Sequence, residues 1–393
     1  MNLRDQSLLF ELLSLPTAPF REQHVLDFAA RLLDRARVPY FADPAGNLVV
    51  GVGSAAGYRA LLRHDHREPV RLFIAHTDHP GFHGQRWLSE RRLEIKWHGG
   101  SPVRHLARAP VWIADAGGYV ARGQLLRARL LPSRHAIDRA EVLLDASLAR
   151  PHPASALFGG FGFRAPVWRS GNRIHTKAAD DLVGVFAVLA TALALFRGPT
   201  RTGRPFLGLL TRAEEVGFVG ALAHFELGWL VRARRPVVAV SLETSRTLPG
   251  ARLGKGPVVR LGDRRTVFDP GYLRVLSELA ERVLPGRHQR RIMDGGTCEA
   301  TAAIAWGIPA IGLSVPLANY HNQGFEGGPD CRRPEGPAPE GVHLDDVDGL
   351  LTLCHQLMQP GLPWTNPWQG QQRRLRRNLA GYRRLLRSGQ PAG

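Results

Sequence analysis

The chain has 393 residues, 44% apolar and 22% charged, which excludes global disorder and provides for one large domain plus a smaller one. Its net charge is +18, and with lysine only at Lys96, Lys177 and Lys255 that charge is almost all arginine. Three widely spaced cysteines, Cys298, Cys331 and Cys354, exclude a disulfide framework and a CxxC metal knuckle.

A basic surface favours acidic peptides, nucleic acid or anionic lipid. No nucleic-acid recognition module is legible, so nucleic acid is only a minor alternative. No apolar run reaches about 18 residues, so no membrane span is expected. The N-terminus carries acids inside its apolar stretch and lacks a signal-peptide layout, which makes a cytoplasmic location the expectation.

Val25, Phe28, Ala29, Leu32 and Leu33 recur at helical spacing and predict a helix over 22–37. A turn at Asp43–Asn47 leads into a strand at Leu48–Val52. A strand at Arg71–Ala75 ends at His76. The stretch from Phe82 to Trp168 is rich in Arg, Gly and Pro, with short alternating runs and no long helix, and reads as an inserted β-rich domain. Asp181–Phe196 is apolar enough for a buried helix. Further on come a strand at Phe206–Leu210, a helix at Gly220–Trp229, a strand at Val237–Leu242 and a helix at Pro270–Val283. A short helix at Thr297–Trp306 and a strand at Ile308–Val315 follow. Alternating strands and helices predict an α/β fold, a sheet flanked by helices. The expected division is a discontinuous α/β domain over 1–81 and 169–360, the insertion over 82–168, and a basic tail over 361–393. In the tail, Leu375, Leu379, Tyr382 and Leu386 recur at helical spacing among arginines. This amphipathic helix is expected to dock on its own domain or on a neighbouring subunit.

Residue types that bind metal stand where predicted strands end. His76 and Asp78 follow the first parallel candidate, Glu214 and Glu215 the next, then Glu243 and His321, and Asp180 and Asp181 open the buried helix. Ligands of open α/β sheets bind at the carboxyl ends of strands, so these distant segments can share one pocket. Each has a simpler reading alone. Asp180-Asp181 suits a helix N-cap, and the glutamates suit a solvated loop. Together, His nitrogen and carboxylate oxygen suit zinc, a carboxylate can bridge two ions, and a carboxylate free of metal can act as general base. Two adjacent glutamates fit that split of roles, though adjacency does not say which does which. Asp78 could accept the second ring N–H of His76.

The order of Ile74–Phe82 (IAHTDHPGF), Lys177–Gly184 (KAADDLVG), Ala213–Ala221 (AEEVGFVGA), Ser241–Thr244 (SLET) and Gly295–His321 resembles the co-catalytic zinc aminopeptidases of the glutamyl/deblocking/tetrahedral aminopeptidase family, over roughly residues 5–358. The resemblance implies a zinc-peptidase-like mixed sheet flanked by helices, with a small β-barrel inserted after the first ligand. It implies His76, Asp180 and Glu243 at one divalent ion and Asp180, Glu215 and His321 at the other, Asp180 bridging. Glu214 matches the general base and Asp78 the partner of His76. Zinc is the expected metal, and the same ligands accept cobalt or manganese. The implied activity is removal of the N-terminal residue from peptides with a free N-terminus, in a closed homo-oligomer. The alternatives are a related metal-dependent amidohydrolase or deacylase, and a degenerate non-catalytic scaffold.

The chain departs from the family pattern at His79, where an acid is usual, at Glu243, where Asp is usual, and at Leu182, where Arg is common. None of these removes a ligand or the base. His83 and His175 are also expected near the site. Gly295-Gly296-Thr297 suits either a set of backbone donors to substrate or an N-cap by Thr297. Cys298 reads as a buried small residue.

Overall fold

The computed structural model describes residues 1–197 and 205–388. At its centre is an eight-stranded mixed sheet. From one edge its strands are Tyr40–Ala42, Leu48–Val50, Phe206–Thr211, Val70–His76, Val237–Arg246, Ala310–Leu317, Val258–Asp263 and Gln289–Met293. The four strands from Phe206–Thr211 to Ala310–Leu317 are mutually parallel, so their carboxyl ends open on the same edge. Val70–His76 is buried along its whole length, as expected for a parallel strand covered on both faces.

One face is covered by the helices Leu3–Ser14, Gln23–Ala36, Leu182–Leu195, Pro270–Val283 and Leu344–Leu357, which share one apolar core with the sheet. The other face packs against Ala55–Arg63, Val219–Glu226 and Glu299–Ala305. Leu182–Leu195 is apolar on every side and buried through Leu193, as its sequence predicts. Its N-cap is Asp181, whose side chain accepts the Gly184 N–H at 3.2 Å. Ala55–Arg63, which the sequence reading did not anticipate, is capped by Ser54. The short helix expected over 297–306 spans only Glu299–Ala305. Its cap is Cys298, without a side-chain bond, so Thr297 is not the N-cap.

Between Gly81 and Phe161 six antiparallel strands close into a barrel in the order Gly81–Ser89, Arg92–His98, Ile137–Leu144, Gly118–Leu130, Pro110–Asp115 and Phe158–Phe161. Closure leaves no unpaired sheet edge, and the inward residues form a separate core around Phe82, Ile95, Val142 and Phe161. Arg173–Thr176 pairs with Val167–Ser170 on one side and Glu340–His343 on the other, in a small sheet of their own. The tail forms the helix Gln369–Ser388, and Leu375, Leu379, Tyr382 and Leu386 stay exposed on it. Docking of that face on the chain's own domain is therefore not what is observed. No described helix is long and apolar enough to cross a membrane.

Candidate metal centre

His76 is the last residue of its strand, and Thr211 of the neighbouring strand pairs with it. The chain leaves Thr211 through Arg212 and turns at Ala213, whose φ of 52° lies in the left-handed region. That conformation costs a non-glycine residue about 1–2 kcal/mol. Glu22 secures the turn by accepting the Ala213 N–H at 3.0 Å and Arg212 Nε at 2.9 Å. The turn delivers Glu214 and Glu215. Asp78 accepts both of their backbone N–H groups, at 3.0 and 3.1 Å. Ser241 pairs with Ile74, so Glu243, two residues on, stands level with His76. His321 follows the end of Ala310–Leu317, also in a left-handed conformation (φ 52°).

The adjacent aspartates take different roles. Asp181 caps the helix, while Asp180 faces two histidines. Its Oδ1 lies 3.5 Å from His76 Nε2 and its Oδ2 3.5 Å from His321 Nε2. The peptide bond between the two aspartates is cis. Glu215 Oε2 lies 3.0 Å from His321 Nε2, and Glu214 Oε2 3.9 Å from His76 Nε2. Ligand atoms of His76, Asp180 and Glu243 all lie within 4.8 Å of one another, as do those of Asp180, Glu215 and His321 and those of His76, Glu214 and Glu215. All six of these residues and Asp78 thus converge at one place. The His76 Nδ1–H donates to the Asp78 backbone carbonyl at 3.1 Å, and the carboxylate serves the glutamate turn, 3.5 Å from that nitrogen.

The donor set fits divalent cations. Two ligands on one tetrahedral zinc are about 3.4 Å apart, given bonds of about 2.0–2.2 Å, close to the observed His–Asp separations. Glu215 Oε1 is buried without a hydrogen-bond partner, and His321 Nε2 meets only the Glu215 and Asp180 carboxylates, an arrangement that is costly unless another group satisfies that oxygen. Negative charge is also in excess. Burial pushes Glu214 well above the ordinary carboxylate range, with Glu215 and Glu243 adding to the rise against the pull of His76. Burial pushes Glu243 up to about 7, although Arg260 pulls it down. Burial works against protonation of His321, yet the Glu215 and Asp180 carboxylates hold it up at about 10. Asp180 is pushed up by burial but ends below its usual range because both histidines bond to it.

Sequence reasoning missed several residues here. Glu340 is fully buried and accepts the N–H groups of Ala179 at 2.7 Å, Asp180 at 3.1 Å and His321 at 2.9 Å, joining two site segments. Nothing in the Gly/Pro-rich loop before it marks that role. Glu22 reads in sequence as an ordinary acid at a helix start. Glu299 is buried with both oxygens unpartnered by geometry, and burial pushes it up to about 8. Leu182 is fully buried in the core, and the cation among the acids is Arg260, 3.9 Å from Glu243.

His79 is buried and donates to the Asp180 carbonyl at 2.7 Å, and burial followed by the neighbouring His321 lowers it to about 4. His83 donates instead to the Pro19 carbonyl, and His175 stacks on Trp168. Neither joins the cluster. Gly295 and Gly296 line a narrow recess beside Glu243, with Arg246, Arg260 and Tyr320. Cys298 is buried, and burial raises its thiol well above the usual range.

A sequence model described as M42 glutamyl aminopeptidase matches residues 57–324. No curated protein matches the chain. Among solved structures, an aminopeptidase from the archaeon Desulfurococcus kamchatkensis is similar at 22% identity and a TM-score of 0.70, over 93% of this chain and 98% of that one. The TET1 peptidase of Pyrococcus horikoshii is similar at 21% identity and 0.68, over 91% and 100%. An M18-family aminopeptidase of Thermotoga maritima is similar at 12% identity and 0.62, over 90% and 95%. At these identities the structures establish a shared fold.

Proposed function

Because the chain belongs to the M42 glutamyl aminopeptidase family and is a peptide-bond hydrolase, we propose that it removes the N-terminal residue of peptides using two divalent ions, preferably zinc, with Glu214 as general base. The observation that carries this reading is Asp180, whose two oxygens each face a different histidine at 3.5 Å. His76, Asp180 and Glu243 would hold one ion, and Asp180, Glu215 and His321 the other.

Bound there, the ions would polarise the scissile carbonyl and acidify water. The rest falls to the chain's own residues. Glu214 sits beside the cluster with its backbone N–H fixed by Asp78. Its Oε2 takes a proton as the water oxygen bonds to the carbonyl carbon. The same proton passes to the amide nitrogen as the C–N bond breaks, so the residue ends as it began. His79 and Glu340 fix the Asp180 backbone, which keeps its carboxylate aimed at both histidines. Gly295 and Gly296 border the recess where a substrate's first residue would lie.

The barrel strands between Gly81 and Phe161 support an inserted domain over 82–168 within a catalytic domain of 1–81 and 169–360, followed by the tail at 361–393. The TET1 peptidase of Pyrococcus horikoshii can assemble into a tetrahedron or a large octahedral shell, and a closed homo-oligomer is proposed here on that likeness. The test is metal analysis combined with hydrolysis of an aminoacyl-anilide panel, with and without chelator. Release of a free N-terminal residue that stops on chelation is expected. Release of a deacylated product alone would favour the amidohydrolase alternative.

A further inference from the structure

Away from the acidic cluster, the barrel and the Gly/Pro-rich loop enclose a cavity of about 800 Å³. Arg108, Arg122, Arg164, Arg332 and Arg333 line it, and Asp330 is its one acid. Asp330 is already engaged, since Arg164 Nε donates to it at 2.8 Å. Arg108, Arg122 and Arg333 have no guanidinium partner among the described residues. A second hollow, sharing Arg108, Arg122 and Arg332, continues from the first and adds one acid, Asp145. Concave surface of one sign focuses its field and concentrates ligands of the opposite sign.

Two of the segments that wall the cavity start at the candidate metal centre. In the first, a Cβ on Gly99 would lie 3.3 Å from Glu215 Cβ, and one on Gly100 2.2 Å from His321 Nδ1. Five residues later His105 stands against Gly336 at the cavity, with Arg108 beyond it. The second segment leaves the centre at His321, supplies Asp330, Arg332 and Arg333, and returns at Glu340. The ion pair Arg104–Glu335, at 2.8 Å, ties the two walls together. Five residues span at most about 18 Å, so a peptide held by its amino end at the centre reaches the cavity with roughly its third to sixth residues.

From this we infer that the arginine-lined cavity is a substrate subsite that binds side-chain carboxylates of acidic peptides, downstream of the residue being removed. The inference rests on the aminopeptidase reading above. It concerns downstream positions and is separate from any preference for the first residue. Guanidinium groups pair with carboxylates in a bidentate fork. Single-stranded nucleic acid calls for stacking platforms, and Phe163 and His105 are the only aromatic rings in the lining.

The test uses full-length zinc-loaded protein and octapeptides labelled at the carboxyl end. Their first amide is N-methylated so that they are not consumed, and they carry four Glu or four Gln at positions three to six. By fluorescence anisotropy the Glu peptide is expected to bind more tightly, and raising the salt to about 1 M, where the Debye length is about 3 Å, to erase the difference. Arg108→Ala/Arg332→Ala should weaken the Glu peptide by about two- to thirtyfold and leave the Gln peptide unchanged. Hydrolysis of an aminoacyl-anilide, which is too short to reach the cavity, should be the same in variant and parent. Equal binding of the two peptides would overturn the inference, as would equal weakening of both by the variant. A single-stranded oligonucleotide that binds through these arginines when the Glu peptide does not would also overturn it. Absence of anilide hydrolysis by the parent protein would instead count against the aminopeptidase reading, and the anisotropy comparison would still decide the subsite.

Discussion

Replacing Asp78 with Asn changes one oxygen into an NH2 group at nearly constant volume. The two Asp78 oxygens accept the N–H groups of Glu214 and Glu215 at 3.0 and 3.1 Å, and the residue is fully buried. Asn can satisfy only one of those donors, and its NH2 then faces the other. A hydrogen bond to a charged group is worth about 1.5–3 kcal/mol, and a stranded buried donor costs about 1–3 kcal/mol. These figures describe overlapping parts of one loss, so a destabilisation of about 2–3 kcal/mol is expected for Asp78→Asn. The same change releases the turn that aims Glu214 and Glu215. A displacement of about 1 Å at reacting groups costs about a hundredfold in rate, and kcat should fall by that order with a smaller change in KM. Urea unfolding of the metal-free protein measures the first effect, and aminoacyl-anilide kinetics of the zinc-loaded protein the second. Stability within 0.5 kcal/mol of the parent, as for roughly neutral surface changes, together with kcat within threefold, would refute the argument that Asp78 acts through the glutamate turn.

Glu214→Gln should retain full metal content while turnover falls by about 10²–10⁴, the usual contribution of a positioned base; unchanged hydrolysis would remove Glu214 from that role. Metal affinity should rise with pH. Below about pH 7 both His321 and Glu243 carry protons that a cation must displace, and between about 7 and 10 only His321 of the two does. The slope of log affinity against pH contributed by these groups then falls from about two to about one through neutrality; chelator competition across that range measures it, and a flat profile would contradict it. Phe186, fully buried in Leu182–Leu195, should cost about 3–5 kcal/mol on truncation to Ala, read by denaturant midpoint; a loss under 1 kcal/mol would mean that this helix is not the core element described.

Much of this arrangement is legible in the sequence because the chemistry interrupts the pattern. Apart from Arg71, these buried parallel strands run apolar almost to their ends, so a histidine or acid at the end of Val70–His76 or just beyond Phe206–Thr211 stands out. The division of labour between Asp180 and Asp181 is not legible, since helix capping and metal binding draw on the same residue type. Only the geometry separates them, one facing His76 and His321 and the other the Gly184 N–H. Barrel closure is hidden for a different reason. Alternation signals short strands between Phe82 and Trp168, but pairing of Gly81–Ser89 with Phe158–Phe161 depends on contacts far apart in the chain. Glu340 and Arg260 lie in segments with no periodic or motif signal, Glu22 opens a helix whose pattern marks only its apolar face, and the value of all three comes from what tertiary contact brings against them.

The proposed function requires Asp180 to lie between two cations. Diffraction data collected at the zinc absorption edge, from crystals grown with zinc, test it directly. Two anomalous peaks about 3.5–4 Å apart are expected, both touching Asp180, one beside His76 and Glu243 and the other beside His321 and Glu215. A single peak, or peaks that leave Asp180 untouched, would contradict it.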